Sequence, residues 1–311
     1  MSTVSFPGLG LELSVKPVAF SVFGWPIHWY GIIIALGFLL AVAFCSRIAD
    51  RYGITQDDIM DMLIYTVPLA ILGARLYYII FYLDLYRRED GSLDFGAMVR
   101  IWDGGLAIYG GILMAVLVVY LFCKRRGIPP MAFWDLGAFG LLIGQSVGRW
   151  GNFVNVEAYG SETTLPWRMG IYEWAQGGWR YAEVHPTFLY ESLWNLLGLL
   201  LLVFVVSRRR RFDGQVFFSY VAWYGLGRAW IEGLRSDSLY FFSTGLRVSQ
   251  CLAILSCVGA VIFLVIRFRQ TREKPQLWVD QPGCQARMEA AAEAAQAEKK
   301  QKEDPHDETG R

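Results

Sequence analysis

The stretch GRWGNFVNVEAYG, residues 148–160, lies at the end of a long apolar run that begins near Met131. Such a run is long enough to cross a bilayer, so it carries Arg149 and Glu157 to the far edge of the hydrocarbon core. Ionisable groups are costly at that depth and mark functional sites in membrane proteins. The stretch therefore predicts a membrane protein with a functional site at one face of the bilayer.

The composition is that of an integral membrane protein. Of the 311 residues, 54% are hydrophobic and only 18% are charged, whereas soluble domains carry about one-quarter charged residues. The net charge of +1 and the lack of a basic face with interleaved aromatic residues argue against a nucleic-acid partner. The five cysteines form no CxxC pair and have no histidine at metal-ligand spacing, so we expect neither a disulfide nor a metal site.

Seven apolar runs reach or approach the roughly 20 residues that a membrane-spanning helix needs. They lie near residues 28–46, 62–83, 104–123, 133–148, 186–207, 216–231 and 248–266. The compact basic clusters, such as KRR at 124–126 and RRRR at 208–211, all fall on one side when the N-terminus is placed outside. Because basic loops stay in the cytoplasm, we predict an all-α fold with seven transmembrane helices, the N-terminus out and the C-terminus in.

The remaining segments define the predicted domain organisation. Residues 1–27 are expected to form an extracytoplasmic N-terminal segment, and residues 28–268 the seven-helix transmembrane body. A Trp- and Tyr-rich loop at about 150–185 predicts a small extracytoplasmic head, which serves either as an interfacial cap or as a surface that contacts substrate. Residues 269–311 are polar and are expected to be a disordered cytoplasmic tail, in which the Ala-, Glu-, Gln- and Lys-rich residues 289–302 have the composition of a loose, solvated helix.

Polar side chains within the seven runs or just beyond their ends collect at one depth. Because successive helices alternate in direction and rise about 1.5 Å per residue, these side chains fall in the outer half of the bilayer. They are Tyr30, Arg75, Tyr109, Arg149, His185, Tyr190, Glu191, Arg228, Glu232 and Arg235. We therefore predict one polar cavity that opens to the outer leaflet.

Structural roles stay open for several of these side chains. Arg228 and Glu232 have the i,i+4 spacing of an ordinary salt bridge on one helix face. The alternative for Arg75 is a structural role, as a buried side chain whose hydrogen bonds link two helices. His185 precedes Pro186 at a helix start, where a residue that only caps the helix is equally expected.

Arg149 has the strongest functional signal. It follows Gly140, Gly144 and Gly148, a stripe of small residues that permits close helix approach. A guanidinium held beside closely packed backbone is suited to bind a phosphate through two hydrogen bonds. This spacing predicts a phosphate-binding arginine at the end of the fourth span.

Residues 148–160 resemble the signature of the prolipoprotein diacylglyceryl transferases, bacterial inner-membrane enzymes that begin lipoprotein maturation. Other segments resemble the same family in the same order. They are HWYG at 28–31, GARL at 73–76, GGLAIYGG at 104–111, HPTFLYE at 185–191, YGLGR at 224–228 and RSD at 235–237. The resemblance covers roughly residues 20–268 and leaves out the tail.

The resemblance implies a specific reaction. The family transfers the diacylglyceryl group of phosphatidylglycerol to the lipobox cysteine thiol of a prolipoprotein signal peptide, which forms a thioether and releases glycerol phosphate. It also implies a multi-pass protein of the bacterial plasma (inner) membrane, with seven spans, a small extracytoplasmic head and no cofactor. The rival interpretation is a multi-span transporter or binding protein for an anionic lipid, although no inverted repeat with matching broken helices is evident.

This reaction gives the cavity residues expected roles. Arg149 and Arg235 are expected to bind the phosphate as charge develops on the leaving group. Asn152 and Tyr30 are expected to donate hydrogen bonds to the headgroup, and Glu157 to orient an arginine. Gly160, Arg75 and Arg228 complete the predicted substrate-binding set.

The sequence leaves the identity of the group that accepts the thiol proton open. Glu191, His185 and a water bound to Tyr109 are the three candidates. Some members of the family carry an essential histidine where this chain has Tyr109. A tyrosine hydroxyl keeps its proton near neutral pH, so it serves better as a hydrogen-bond donor than as a base.

Overall fold

The computed structural model describes residues 2–88, 90–175, 178–236 and 246–303. Within these ranges the chain forms two compact units. The first unit combines the residues up to Ile48 with Trp134–Asp280, and the second combines Ala49–Phe133 with the residues from Gln281 onward.

The first unit contains most of the helices that carry the predicted site. α1, Trp29–Ile48, begins directly after a β-hairpin, and α6, Thr187–Leu201, continues beyond its last residue as a π-helical turn over Leu202–Val206. Helices α1, α5, α6, α7 and α8 span Trp29–Ile48, Pro130–Asn155, Thr187–Leu201, Gln215–Ile231 and Val248–Gln270. The first four residues of α5 belong to the second unit.

A four-stranded antiparallel sheet forms the head of the first unit. Its strands β1, β2, β5 and β6 span Ser2–Phe6, Leu11–Val15, Met169–Ala175 and Gly178–Val184, and their order is β2-β1-β5-β6. Alternating residues such as Val4, Ile171 and Val184 are buried on one face, where Phe153 and Phe188 pack nearby. A separate hairpin pairs β3, Val18–Val22, with β4, Trp25–His28.

These strands correct the prediction of an all-α fold. The N-terminal segment and the loop near 150–185 were predicted as separate regions, but β1 pairs with β5 in a single sheet. Strands of five to seven residues carry a weak periodic signal. β1 pairs with β2 and β5 with β6 locally, but β1 meets β5 at Ser5 and Gly170, far apart in the chain, so local pattern does not reveal the single sheet.

The second unit is built on two long helices that pack closely. α2 spans Gln56–Phe81 and begins with a capping box in which Thr55 and Asp58 exchange hydrogen bonds. After the short helix α3, Phe95–Val99, α4 spans Ile108–Arg126. A Cβ on Gly110 would lie 2.4 Å from the backbone oxygen of Gly73, so α2 and α4 approach through glycine.

Five helical segments in the described ranges are long and apolar enough to cross a membrane. They are Trp29–Tyr52, Gln56–Phe81, Ile108–Arg126, Thr187–Arg209 and Val248–Gln270. The structure therefore supports an integral membrane protein. α5 and α7, the predicted fourth and sixth spans, are helices of 26 and 17 residues outside this set, and they carry the polar residues Arg149 and Arg228.

Part of the tail that was expected to be disordered is helical in the structure. α9 spans Pro282–Glu303 within the second unit. The Arg287 Nη2 lies 2.6 Å from both carboxylate oxygens of Asp58, and Cys284 is fully buried. This docking comes from single residues within a polar segment, which composition does not show. Residues 304–311 of the predicted tail lie outside the described part of the chain.

Candidate active site

The predicted glycine stripe on α5 forms a close contact with α1. A Cβ on Gly140 or Gly148 would lie 3.3 Å from a side chain of α1. One turn further along, a Cβ on Gly151 would lie only 2.7 Å from the ring of Tyr30. The absence of side chains at these positions lets the first turn of α1 lie directly beside the last turns of α5. The structure thus confirms the close approach and identifies its partner helix.

Two tryptophans fix α6 against α7. The Trp194 Nε1 donates to the Trp223 carbonyl at 3.0 Å, and the Trp223 Nε1 donates to the Trp194 carbonyl at 2.9 Å. The two rings stack with centroids 4.4 Å apart. A Cβ on Gly227 would lie 2.1 Å from the Trp194 ring, so only glycine fits there. This reciprocal contact holds the start of α6 beside the end of α7.

Three arginines converge on the carboxylate of Glu191. Arg149, near the end of α5, binds one carboxylate oxygen, Oε2. The Arg228 Nη1, from α7, lies 3.0 Å from the other oxygen, Oε1. The Arg235 Nη1, just beyond α7, lies 3.6 Å from the same Oε1. Glu191 is buried, so its carboxylate is desolvated. Four predicted site residues, Glu191 and the three arginines, therefore form one cluster.

A second buried carboxylate extends this cluster. The Glu232 Oε2 lies 2.5 Å from the Arg228 Nη2, so the i,i+4 pair expected on structural grounds forms. Arg228 also reaches Glu191, and it therefore links the two carboxylates. The three arginines and two glutamates together carry one excess positive charge. Guanidinium groups are well suited to bind carboxylate and phosphate groups, so this cluster favours an anionic ligand.

A chain of hydrogen bonds positions Arg149. Its Nη1 donates to the Asn152 Oδ1 at 3.3 Å, and the Asn152 Nδ2 donates to the Glu157 Oε1 at 2.9 Å. The Asn155 Nδ2 lies 3.4 Å from the same Glu157 oxygen. Glu157 was expected to orient an arginine; in the structure it acts on Arg149 through Asn152.

The turn after α5 is strained and firmly held. Val156 and Ala158 have φ values of +54° and +56°, the left-handed region that non-glycine residues seldom adopt. The Thr187 hydroxyl donates to the Ala158 carbonyl at 2.6 Å and holds the turn in place. Backbone strain of this kind clusters at functional sites. No residue pattern signals it, because a valine gives no indication of a positive φ.

Gly160 lies where three segments meet. Its amide donates to the His185 carbonyl at 3.0 Å, and it pairs with Arg235 in an antiparallel bridge. A Cβ on Gly160 would lie 2.7 Å from the His185 Cβ and 2.9 Å from the Leu234 carbonyl oxygen. Gly160 was predicted as a substrate-binding residue; its geometry shows a spacer that brings His185 and Arg235 close.

His185 lies next to a hydrogen-bonded pair of aromatic residues. Its Nδ1 is 3.3 Å from the Tyr190 hydroxyl, which accepts a 2.8 Å hydrogen bond from the Trp167 Nε1. Burial lowers the pKa of His185 below its ordinary value. The imidazole is therefore neutral near pH 7 and has the capacity to accept a proton.

Arg75 and Tyr109 belong to the second unit. The Arg75 guanidinium donates to five backbone carbonyls, at 2.6 to 3.0 Å, in residues Ala97, Met98, Arg100, Gly104 and Gly105. All five of its N–H donors are thereby used. This supports the structural alternative for Arg75 and leaves no donor for a substrate. Tyr109 lies in the first turn of α4 with 54% of its surface exposed.

The fold and the arginine cluster define an integral membrane protein with a buried cluster of arginines and glutamates. A family model described as prolipoprotein diacylglyceryl transferase matches residues 17–266, and the chain belongs to this family.

Curated relatives named phosphatidylglycerol–prolipoprotein diacylglyceryl transferase match over most of their length. The protein from Finegoldia magna is 44% identical over 81% of this chain and 96% of its own. The protein from Streptococcus mutans is 44% identical over 82% of this chain and 96% of its own. The protein from Lactiplantibacillus plantarum is 42% identical over 82% of this chain and 90% of its own.

Proposed function

We propose that this protein transfers the diacylglyceryl group of phosphatidylglycerol to the lipobox cysteine of a prolipoprotein signal peptide. The cysteine sulfur attacks a glycerol carbon, a carbon–sulfur bond forms, and the bond from that carbon to the phosphate oxygen breaks. Glycerol phosphate leaves with the electron pair. Family membership over residues 17–266 supports the reaction, and the convergence of three arginines on Glu191 is the observation that carries it.

The proposed setting is the bacterial plasma membrane, with seven spans, the N-terminus outside and the C-terminus inside. α5 and α7 would be the fourth and sixth spans. The end of α5, the start of α6 and the end of α7 would then lie at the outer face. Arg149, Glu191 and Arg228 occupy these helix ends, so the cluster would meet phospholipid of the outer leaflet and a translocated precursor.

The arginine cluster would stabilise the phosphate as charge develops on it. Donors that are fixed before the reaction do this best, since they need no reorganisation in the transition state. Glu191 and Asn152 hold Arg149, and Glu191 also holds Arg228 and Arg235. Guanidinium donors favour the phosphate group over a neutral ligand.

The contacts also bear on the proton acceptor. Each Glu191 carboxylate oxygen already faces a guanidinium, which favours an orienting role for this residue. His185 is the better candidate, because its ring contacts the Tyr190 hydroxyl rather than a guanidinium and burial, which lowers its pKa, keeps the ring neutral near pH 7. A water bound to Tyr109 remains the third candidate.

The test uses purified protein, labelled phosphatidylglycerol and a lipobox peptide. Arg149→Ala and Arg235→Ala should each lower transfer by about 10²–10³-fold, the usual loss when a preorganised transition-state donor is removed. Arg180→Ala is the matched control, because Arg180 forms an exposed pair with Glu173 in the head sheet. Near-normal transfer by both site variants would overturn the proposal that Arg149 and Arg235 stabilise the leaving phosphate.

Two further arms test the chemistry itself. A peptide with serine in place of the lipobox cysteine should accept no diacylglyceryl group, and its acylation would overturn the thiol step. Release of glycerol phosphate distinguishes transfer from the rival interpretation. Binding or uptake of phosphatidylglycerol without that product would favour a transporter or lipid-binding protein.

A further inference from the structure

The β3–β4 hairpin, residues 18–28, is an uncharged projection that the proposed reaction does not use. Its segment PVAFSVFGWPI, residues 17–27, contains no Asp, Glu, Lys or Arg. Phe20 and Val22 alternate on one face of β3, opposite Ile27 and Trp25 of β4. Directly opposed residues of an antiparallel pair point to the same side. The hairpin therefore has one continuous apolar face, on which Phe20, Val22 and Trp25 are exposed.

The turn of the hairpin has an unusual residue at its tip. Phe23 and Gly24 have φ values of +50° and +84°, the pattern of the tight hairpin turn that favours Asn-Gly. Phe23 is 99% exposed and Trp25 is 76% exposed. A phenylalanine at this position strains the backbone and exposes an apolar ring to water. Within the described residues of this chain, no contact of the Phe23 ring offsets these two unfavourable effects.

The apolar face continues onto a candidate membrane span. The hairpin runs directly into α1, and the Trp29 amide donates to the Pro17 carbonyl at 2.9 Å, which closes the base of the hairpin on the helix start. Trp29 and Tyr30, in the first turn of α1, are also exposed. An exposed apolar surface on a membrane-spanning helix faces lipid. The hairpin extends that surface without an intervening charged residue.

We propose that the β3–β4 hairpin inserts its tip into the lipid interface and anchors the outer end of α1. The occupant of this surface is lipid, because protein interfaces are usually bordered by a polar and charged rim, which residues 17–27 lack. Phe and Trp side chains at the headgroup level are typical of membrane anchors. The anchor would hold Tyr30, which packs on Gly151 beside Arg149, at the level of the phospholipid headgroups.

The direct test measures the depth of the tip. The full chain carrying Phe23→Cys is labelled with an environment-sensitive fluorophore and placed in phosphatidylglycerol vesicles. The unsubstituted protein, labelled in the same way, gives the background from its own cysteines. A nitroxide on the lipid chain near the headgroup should quench the label strongly, and aqueous iodide should quench it weakly. Ser21→Cys, on the opposite face of the hairpin, is the matched control and should be more accessible to iodide.

Two outcomes would overturn the proposal. Strong quenching of the Phe23 label by iodide, with none by the lipid nitroxide, would place the tip in water. Protection from both quenchers would place it against protein.

A second variant separates insertion from folding. Asn tolerates left-handed backbone better than Phe, so Phe23→Asn should leave thermal stability in detergent unchanged or raised. In vesicles, the same change should reduce nitroxide quenching of a label at Trp25→Cys and increase iodide quenching. Unaltered quenching at that position would count against an anchoring role for Phe23.

Discussion

Neutralising Glu191 tests whether this carboxylate organises the arginine cluster or accepts a proton. Glu191→Gln keeps the size of the side chain but removes the negative charge that Arg149, Arg228 and Arg235 share. The five-residue cluster would then carry an excess of two positive charges. A pair of opposite charges about 4 Å apart attracts by about 4 kcal/mol at an effective dielectric constant of about 20. Breaking a buried pair by removing one partner costs about 3–5 kcal/mol.

We therefore expect Glu191→Gln to lose about 3–5 kcal/mol of folding stability and to show a large fall in kcat. The added positive charge favours anion binding, so KM for phosphatidylglycerol should not rise in proportion. The assays are thermal unfolding in detergent, with and without phosphatidylglycerol, and steady-state transfer to a lipobox peptide. Glu162→Gln, which removes an exposed partner of Arg180, is the control and should change neither quantity.

The two roles of Glu191 give different results. If Glu191 organises the arginines, stability and kcat fall together. If its only role is to accept the proton and the arginines need no counter-charge, kcat falls while thermal stability stays near that of the unsubstituted protein. A variant with unchanged stability and unchanged transfer would refute both roles and the reasoning from buried charge.

Three further predictions follow from individual contacts. Gly151→Val should lower transfer and stability, because a Cβ at this position would lie 2.7 Å from the Tyr30 ring. Equal activity would show that the close approach of Tyr30 to Gly151 is not needed. If neutral His185 accepts the proton, kcat/KM should rise with pH through a midpoint below about 6.5, because burial lowers the His185 pKa. His185→Gln should abolish this rise of kcat/KM with pH. The stability linked to His185 should likewise be present above its ordinary pKa and be lost as the pH falls through the lowered value. Arg75→Lys should lower thermal stability, because a lysine cannot make the five hydrogen bonds to residues 97–105. The change should leave KM for phosphatidylglycerol near normal. A raised KM would support a role of Arg75 in substrate binding.

The helices and the meeting of polar residues at their ends were accessible from sequence. Long apolar runs predict membrane helices because no other local structure satisfies their backbone in lipid. Alternating direction then brings Arg149, Glu191 and Arg228 to the same end, and the structure places them in one cluster. The glycine stripe likewise predicted a close helix contact, although sequence did not show that α1 is the partner.

Other features depend on contacts that local pattern does not encode. The pairing of β1 with β5 joins segments far apart in the chain, so the head sheet was missed. Arg75 has the same charge and depth expected of a substrate ligand, but its five carbonyl partners become apparent only when residues 97–105 fold over it. Docking of α9 depends on Arg287 meeting Asp58, a single pair in a polar segment.

The strained turn after α5 explains how distant segments form one site. Thr187 holds the Ala158 carbonyl, so the turn is tied to the start of α6. Two residues later, Gly160 pairs with both His185 and Arg235 through its backbone. Backbone pairing fixes relative position more firmly than contacts between long side chains, because fewer torsions remain free. The candidate proton acceptor His185 and Arg235, which is proposed to bind phosphate, therefore move together with the turn that carries Glu157. A site that must stabilise developing charge without reorganisation requires this kind of rigid support.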